Sequence, residues 1–337
     1  MLPALKIVPA TGKGLVGVAR MAADSSQISL GHGVEYRSLS VRSLLSRCDS
    51  PRVPFAWTIN PYRGCEFACK YCYARYTHEF MELRDGIEFE RHIFIKENAA
   101  GQLRQDLKRV KPGQMIAIGT ATDPYQPAER NFEVTRSILE ALALHRGLFL
   151  GLITKSQLVV RDIDLLRKIA EGNFLAIHVT VTTMDAALAR KLEPRAPRPD
   201  LRMDAVRQLR EAGLITGVLC APVLPGLTDS LRNLENVVRA ASQARASYIT
   251  ANPLFLKPCS AKIFLPFLRE HFPALVKDYE QRFRSNAFVG GAYRKRLSML
   301  MARICQKHGM PGSAGRARIH QEGRNLAMTH DPQMTLF

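Results

Sequence analysis

The chain has 337 residues, 46% of them apolar, which suffices for a sizeable core in one large α/β domain or two ordinary ones. Lys and Arg outnumber Asp and Glu 48 to 30, a formal charge of +18, and residues 271–327 hold eleven Lys or Arg against three Asp or Glu. The longest apolar stretches, 148–153 and 174–181, are strand-sized, and residues 1–8 lack a signal-peptide core, so no membrane span or secretion is expected.

Residues 1–52, rich in Gly, Ser and isolated charges, are expected to form a peripheral, loosely ordered extension. From residue 53 strand and helix patterns alternate. The predicted strands are 54–60, 115–121, 148–154, 174–182, 215–223 and 247–252. The predicted helices are 96–110, 129–145, 161–171, 201–212 and 229–244, an order that implies βαβ units and a parallel sheet over 53–258. Period-two parity sets Leu175, Ile177, Val179 and Val181 against the helices and turns Ala176, His178, Thr180 and Thr182 inward. Beyond residue 255 the alternation stops. Residues 259–310 read as a basic helical extension and 311–337 as a flexible tail.

The chemistry is concentrated just after the first strand, in Asn60-Pro61-Tyr62-Arg63-Gly64-Cys65-Glu66-Phe67-Ala68-Cys69-Lys70-Tyr71-Cys72. Three thiolates at CxxxCxxC spacing suit an iron–sulfur cluster with one corner left free, or a zinc knuckle that finds a fourth ligand. His78 could be that fourth ligand, but no second CxxC or HxxxH follows. The other four cysteines (Cys48, Cys220, Cys259, Cys305) are scattered and do not read as a disulfide framework, which makes the cytoplasm the expected compartment.

The loop resembles the signature of the radical S-adenosylmethionine (SAM) enzymes. The resemblance implies a partial (β/α)6 TIM-like barrel over about 53–255, with Cys65, Cys69 and Cys72 holding a 4Fe–4S cluster whose fourth iron binds SAM. It places Tyr71 near the adenine and Gly119 and Thr120 at the SAM amino group. Polar residues at strand ends carry the sites of β/α barrels. On that rule Lys155 is a candidate for the SAM carboxylate, Thr180 and Thr182 for the ribose, and Arg195 for a carboxylate clamp, with Arg190, Arg198 and Arg202 as competitors. A reducing one-electron donor is implied as well.

With Thr122-Asp123-Pro124-Tyr125-Gln126-Pro127, Ile153-Thr154-Lys155-Ser156 and Leu192-Glu193-Pro194-Arg195-Ala196-Pro197, the loop resembles the DNA repair photolyase-like branch, relatives of spore photoproduct lyase. That lyase carries an additional hydrogen-donating cysteine near the end of its second strand, whereas residues 115–130 here contain none. The clustered basic charge favours a nucleic-acid partner, DNA first. The terminal Gln333-Met334-Thr335-Leu336-Phe337 is similar to the peptide that binds the bacterial sliding clamp, with Gln333, Leu336 and Phe337 as anchors. Two other functions fit the same residues: a radical SAM enzyme acting on a peptide or anionic metabolite, and a non-catalytic, zinc-stabilised nucleic-acid-binding module.

Overall fold

A computed structural model describes residues 15–31 and 33–329. Its strands are β1 (Gln27–Gly31), β2 (Val34–Leu39), β3 (Leu45–Arg47), β4 (Trp57–Ile59), β5 (Tyr62–Arg63), β6 (His92–Lys96), β7 (Met115–Ile118), β8 (Phe149–Thr154), β9 (Phe174–Thr180), β10 (Ile215–Val223) and β11 (Ile249–Pro253). Seven of them form one sheet in the order β11-β10-β9-β8-β7-β4-β3. β3 runs antiparallel to β4, and every other neighbouring pair is parallel. The sheet does not close: β3 and β11 are its edges, so the barrel expected from sequence is open.

The helices between these strands follow their apolar spacing. They are α1 (Ala99–Asp106), α2 (Val134–Leu142), α3 (Ile163–Gly172), α4 (Pro199–Glu211) and α5 (Leu231–Gln243). In α5 the buried Leu234, Val237, Val238 and Ala241 recur three or four residues apart, and the Ser230 hydroxyl caps the first turn by accepting the Asn233 N–H at 3.2 Å. Pro199 opens α4, where a missing N–H leaves nothing unsatisfied. The helix-facing residues Leu175, Ile177, Val179 and Val181 lie in the main core, as parity predicts. The opposite, concave face is lined by small residues that make room for rings. A Cβ on Gly217 would lie 2.1 Å from the Tyr248 ring, and one on Gly151 2.4 Å from Met115 Cε.

Two expectations are corrected. Residues 27–47 are not loosely ordered. They supply β1, β2 and β3, and a second sheet runs β1-β2-β6-β5. β1 is almost wholly exposed and shows no alternation; it is held by pairing, through β2, to the fully buried β6. The predicted flexible tail is also partly wrong. After α6 (Pro258–His271) and α7 (Gly291–Lys307), residues Ser313–Thr329 form a further helix, α8. Besides Ile319 and His320, its contacts with the sheet come from small residues that give little apolar signal: Ala327 is buried beside Met115, Phe149, Phe174 and Ala176, and a Cβ on Gly323 would strike the Phe174 ring at 2.1 Å. Among the described residues no helix is long and apolar enough to cross a membrane.

α8 floors the concave face. Its His320 ring lies 5.9 Å from that of Phe149, 5.7 Å from Phe174 and 5.7 Å from His178. His178 Nδ1 donates to the Leu152 carbonyl (3.3 Å), which leaves Nε2 to accept the Tyr248 hydroxyl at 2.7 Å. Burial, with Arg316 and His320 adding, holds His178 well below its ordinary pKa; burial, with Arg316 and Arg324, lowers His320 to about 4. Below pH 6.5 the unfolded chain therefore binds more protons than the folded one, and stability falls with pH. Between pH 6.5 and 5, His178 alone should contribute a loss of about 2 kcal/mol. Urea unfolding at pH 7, 6 and 5 should show this decline, and His178→Gln should flatten it; equal slopes would refute the buried neutral imidazole. Filling the close approach of α8 should also destabilise, with Gly323→Ala lowering unfolding free energy by about 1–3 kcal/mol in the same assay.

Candidate cofactor-binding site

The cysteine loop begins where the small sheet meets the large one. β5 pairs with β6 through Tyr62 and Ile95, and Gly64 follows at φ 86°. A Cβ on Gly64 would lie 2.5 Å from the His92 carbonyl oxygen, so only glycine turns the chain here. The loop then makes few regular hydrogen bonds and takes its partners from elsewhere. Cys65 N–H donates to Phe89 O (2.9 Å), Lys70 N–H to Leu192 O (2.9 Å) and Cys72 N–H to Cys69 O (3.2 Å).

Side chains complete the framework. Arg75, whose side chain is fully buried, donates from Nη2 to Cys69 O (3.0 Å) and to Glu90 Oε2 (2.6 Å). Ser260 of α6 donates to Cys72 O at 2.7 Å. Gln126 Oε1 accepts the Glu66 N–H (2.9 Å), while Glu66 accepts the Ala128 N–H (2.7 Å) and the Tyr36 hydroxyl (3.0 Å). Seven cross-links from five other segments leave the loop little freedom.

Cys65 and Cys69 are buried and Cys72 is half-buried. Burial pushes the Cys65 thiol well up, and Asp123, Cys69 and Cys72 push it further. Burial takes Cys69 up to about 12 against the opposing influence of Lys155, and it raises Cys72 against Arg75. The sulfurs are thus close enough to feel one another, and bound cationic metal would relieve what burial costs their thiolates. Among the described residues no three His, Cys, Asp or Glu gather to hold a single metal ion. A cluster that takes each thiolate on a different iron does not require such convergence, so the residues fit it better than zinc. His78 is committed elsewhere: Nε2 bonds the His92 carbonyl at 3.0 Å, and the ring lies 5.1 Å from that of Phe89. Burial lowers it to about 3.

Strand ends surround the loop with polar groups. Gly119 sits at φ 88°, with its N–H on Ile59 O (2.9 Å) and the Ile153 carbonyl where a Cβ would fall. Thr120 is tied to the loop, since its carbonyl accepts the Tyr73 hydroxyl and its own hydroxyl accepts from Asn60 Nδ2 (3.4 Å). Asp123 accepts the Thr154 hydroxyl and the Lys155 N–H, both at 2.7 Å. Lys155 is half-buried and forms no ion pair among the described residues. Burial lowers its pKa, but Cys69, Glu193 and Asp123 together leave it above the ordinary value.

The arginine buried at this rim is Arg202. Arg195 is exposed, and its N–H reaches Phe67 O at 3.4 Å. Arg202 Nη2 pairs with Glu193 Oε2 at 2.5 Å, both side chains all but fully buried, and Nη1 holds the carbonyl of Thr180 at 3.1 Å. Burial raises the Glu193 carboxyl, but Arg202 and Lys155 outweigh it and keep the group below its usual range. The Tyr71 hydroxyl donates to the same carboxylate, which fixes the ring next to the cysteines. Thr182 Oγ1 and, on β11, Thr250 Oγ1 are buried without a hydrogen-bond partner. Each such hydroxyl costs about 1–3 kcal/mol unless a ligand completes it.

Sequence reasoning assigned no role to Glu66, Glu193 or Ser260, and it named Arg202 only as a competitor of Arg195 for the carboxylate clamp. One cue was present for Arg202, which shares the apolar stripe of α4 with Val206 and Leu209 and so faces inward. Arg202→Met should cost about 3–5 kcal/mol by leaving Glu193 charged and unpaired, and adding Glu193→Leu should recover much of the loss. Chemical denaturation of the three proteins checks this, and a single variant as stable as wild type would refute the pairing.

Residues 59–238 match a family model described as the Radical SAM superfamily. An uncharacterised protein of Mycobacterium tuberculosis is 33% identical over 282 residues, 83% of each chain. An uncharacterised protein of Methanocaldococcus jannaschii is 28% identical over 238 residues, 70% of this chain and 83% of that one. Among solved structures, spore photoproduct lyase complexed with dinucleoside spore photoproduct matches with a TM-score of 0.59 at 15% identity, over 90% of this chain and 86% of that one, a likeness of fold. The chain belongs to the radical SAM superfamily and is an enzyme whose cofactors are a 4Fe–4S cluster and S-adenosylmethionine.

Proposed function

We propose that Cys65, Cys69 and Cys72 ligate the cluster and that the enzyme acts on nucleic acid, DNA in the first place. The observation that carries the ligand set is three thiols, two buried and one half-buried and all raised by burial, in a loop pinned by five other segments. When bound, the cofactors supply one-electron cleavage of the SAM sulfonium and a radical able to take hydrogen from a substrate. This chain's part is to bind and orient. Lys155 is the cation for the SAM carboxylate, and the Gly119–Thr120 backbone is the partner for the amino group. Thr180, Thr182 and Thr250 offer hydroxyls for the ribose, and Tyr71 is held for the adenine by Glu193. Arg195, exposed at the same rim, suits a substrate anion better than a buried carboxylate.

The nucleic-acid reading is supported by the charge of +18 and by exposed cations on and before α7 (Arg284, Arg294, Lys295, Arg296) that form no ion pair among the described residues. The fold shared with a lyase solved with a dinucleoside bound agrees with it. In this reading Gln333, Leu336 and Phe337, which lie outside the described residues, dock to the sliding clamp, and a reducing protein supplies the electron.

Anaerobic reconstitution should give about four irons and four sulfides per chain, and Cys→Ala at any of the three positions should abolish the cluster. One tightly held zinc with no sulfide would overturn the assignment. Lys155→Met should keep the iron content and weaken SAM binding about tenfold, the loss of one charge-assisted contact. 5′-Deoxyadenosine formation should rise when DNA is added; a rise with peptide or anionic metabolites instead would move the substrate class.

A further inference from the structure

Beside the cysteine loop, five aromatic rings and two cations form a ridge in two groups, Phe80–Tyr76 and Tyr73–Phe255–Phe288, bridged by Lys257. The Phe80 ring meets Tyr76 edge-on at 5.7 Å, and Lys257 Nζ sits 3.5 Å over Tyr76 and 5.9 Å from Phe255. Tyr73 lies 6.1 Å from Phe255, Phe255 stacks on Phe288 at 4.4 Å, and the Arg52 guanidinium covers Phe288 at 4.6 Å. The rings come from three separate stretches: the residues after Cys72, the end of β11, and the turn before α7. A backbone bridge between Phe255 and Phe288, with Leu256 N–H on Ala287 O at 2.9 Å, joins the last two.

This is not a core cluster. Tyr73 is 38% and Phe80 60% exposed, and Tyr76, Phe255 and Phe288 are only half-buried. Exposed aromatic surface is costly to keep on a soluble chain unless something covers it. The cations at the rings (Arg52, Lys257), with the exposed Arg284 and Arg294 that flank Phe288 in the sequence, call for an anionic occupant with flat apolar faces. The ring-to-ring steps of 4.4–6.1 Å exceed the roughly 3.4 Å between stacked bases along a duplex strand. Bases paired in a duplex also hide their faces in the stack.

We infer that the ridge formed by Phe80, Tyr76, Lys257, Phe255, Tyr73 and Phe288 is a stacking track for single-stranded DNA that leads unpaired bases past Cys72. Aromatic faces take successive bases regardless of sequence while the cations follow the backbone. The inference rests on the nucleic-acid reading above and adds the form of the substrate: a strand already open or opened locally, with its bases turned out.

The test uses the full-length, reconstituted protein and fluorescence anisotropy with a labelled oligothymidine, alone or annealed to its complement, at several salt concentrations. The single strand should bind about tenfold tighter than the duplex. Phe288→Leu and Phe80→Leu should each weaken single-strand binding about tenfold with the salt slope unchanged. Arg284→Gln and Arg294→Gln should lower that slope by about 0.7 per charge and keep the strand preference. Phe80 is exposed enough for its variant to stay folded, and thermal melting confirms this for each protein. Duplex bound as tightly as single strand, or aromatic variants that bind like wild type, would overturn the track while leaving DNA as substrate. If wild type binds neither form, the nucleic-acid reading itself fails.

Discussion

A loop that withdraws three thiols within eight residues from water is neither a regular strand nor a helix, and its amides and carbonyls still need partners. Much of the architecture around residues 64–75 meets that need. The short helix Glu88–Arg91 and β6 bring the Phe89 and His92 carbonyls under Gly64 and Cys65; the loop after β7 brings Gln126; the helix Ala186–Leu192 brings Leu192; α6 brings Ser260. Arg75 closes the loop from within, with no surface left to solvent. Remove these partners and the loop that carries the thiols loses its support.

Charge balance at the rim follows the same economy. Asp123, Lys155, Glu193 and Arg202 are all withdrawn from water, and each faces an opposite sign or a row of donors. Glu193 does double service, neutralising Arg202 and orienting Tyr71. The thiols have no such complement beyond Lys155 and Arg75, and they stand as the one uncompensated group at the centre of a compensated ring. A buried set of acids without its counter-charge is where a cationic group belongs.

How much of this was legible depended on how far apart the partners lie along the chain. The parallel strands and their helices were readable because apolar periods of two and 3.6 are local, and parity even assigned the two faces of β9 correctly. The cysteines were readable because their spacing is the motif. Glu193 was invisible as a partner of Tyr71, from which it is separated by 122 positions, and Gln126 as a partner of Glu66 by 60. Four arginines within 190–202 looked alike, and the register of α4 decided which one is buried. The small sheet and α8 escaped notice for the opposite reason. β1 is exposed on nearly every residue, and α8 docks in part through Gly323 and Ala327, whose contribution is the absence of bulk rather than the presence of an apolar stripe.

The floor laid by α8 also sets an order of events during synthesis. β8, β9 and β11 are complete before residue 313 is added, so a growing chain carries an open trough of Phe149, Phe174 and Tyr248 that has nothing of its own to cover it. A pause by the ribosome between β11 and α8 would prolong that bare interval. The nascent protein is then most vulnerable to clumping, and most in need of a chaperone, after its sheet is built and before its last described helix arrives.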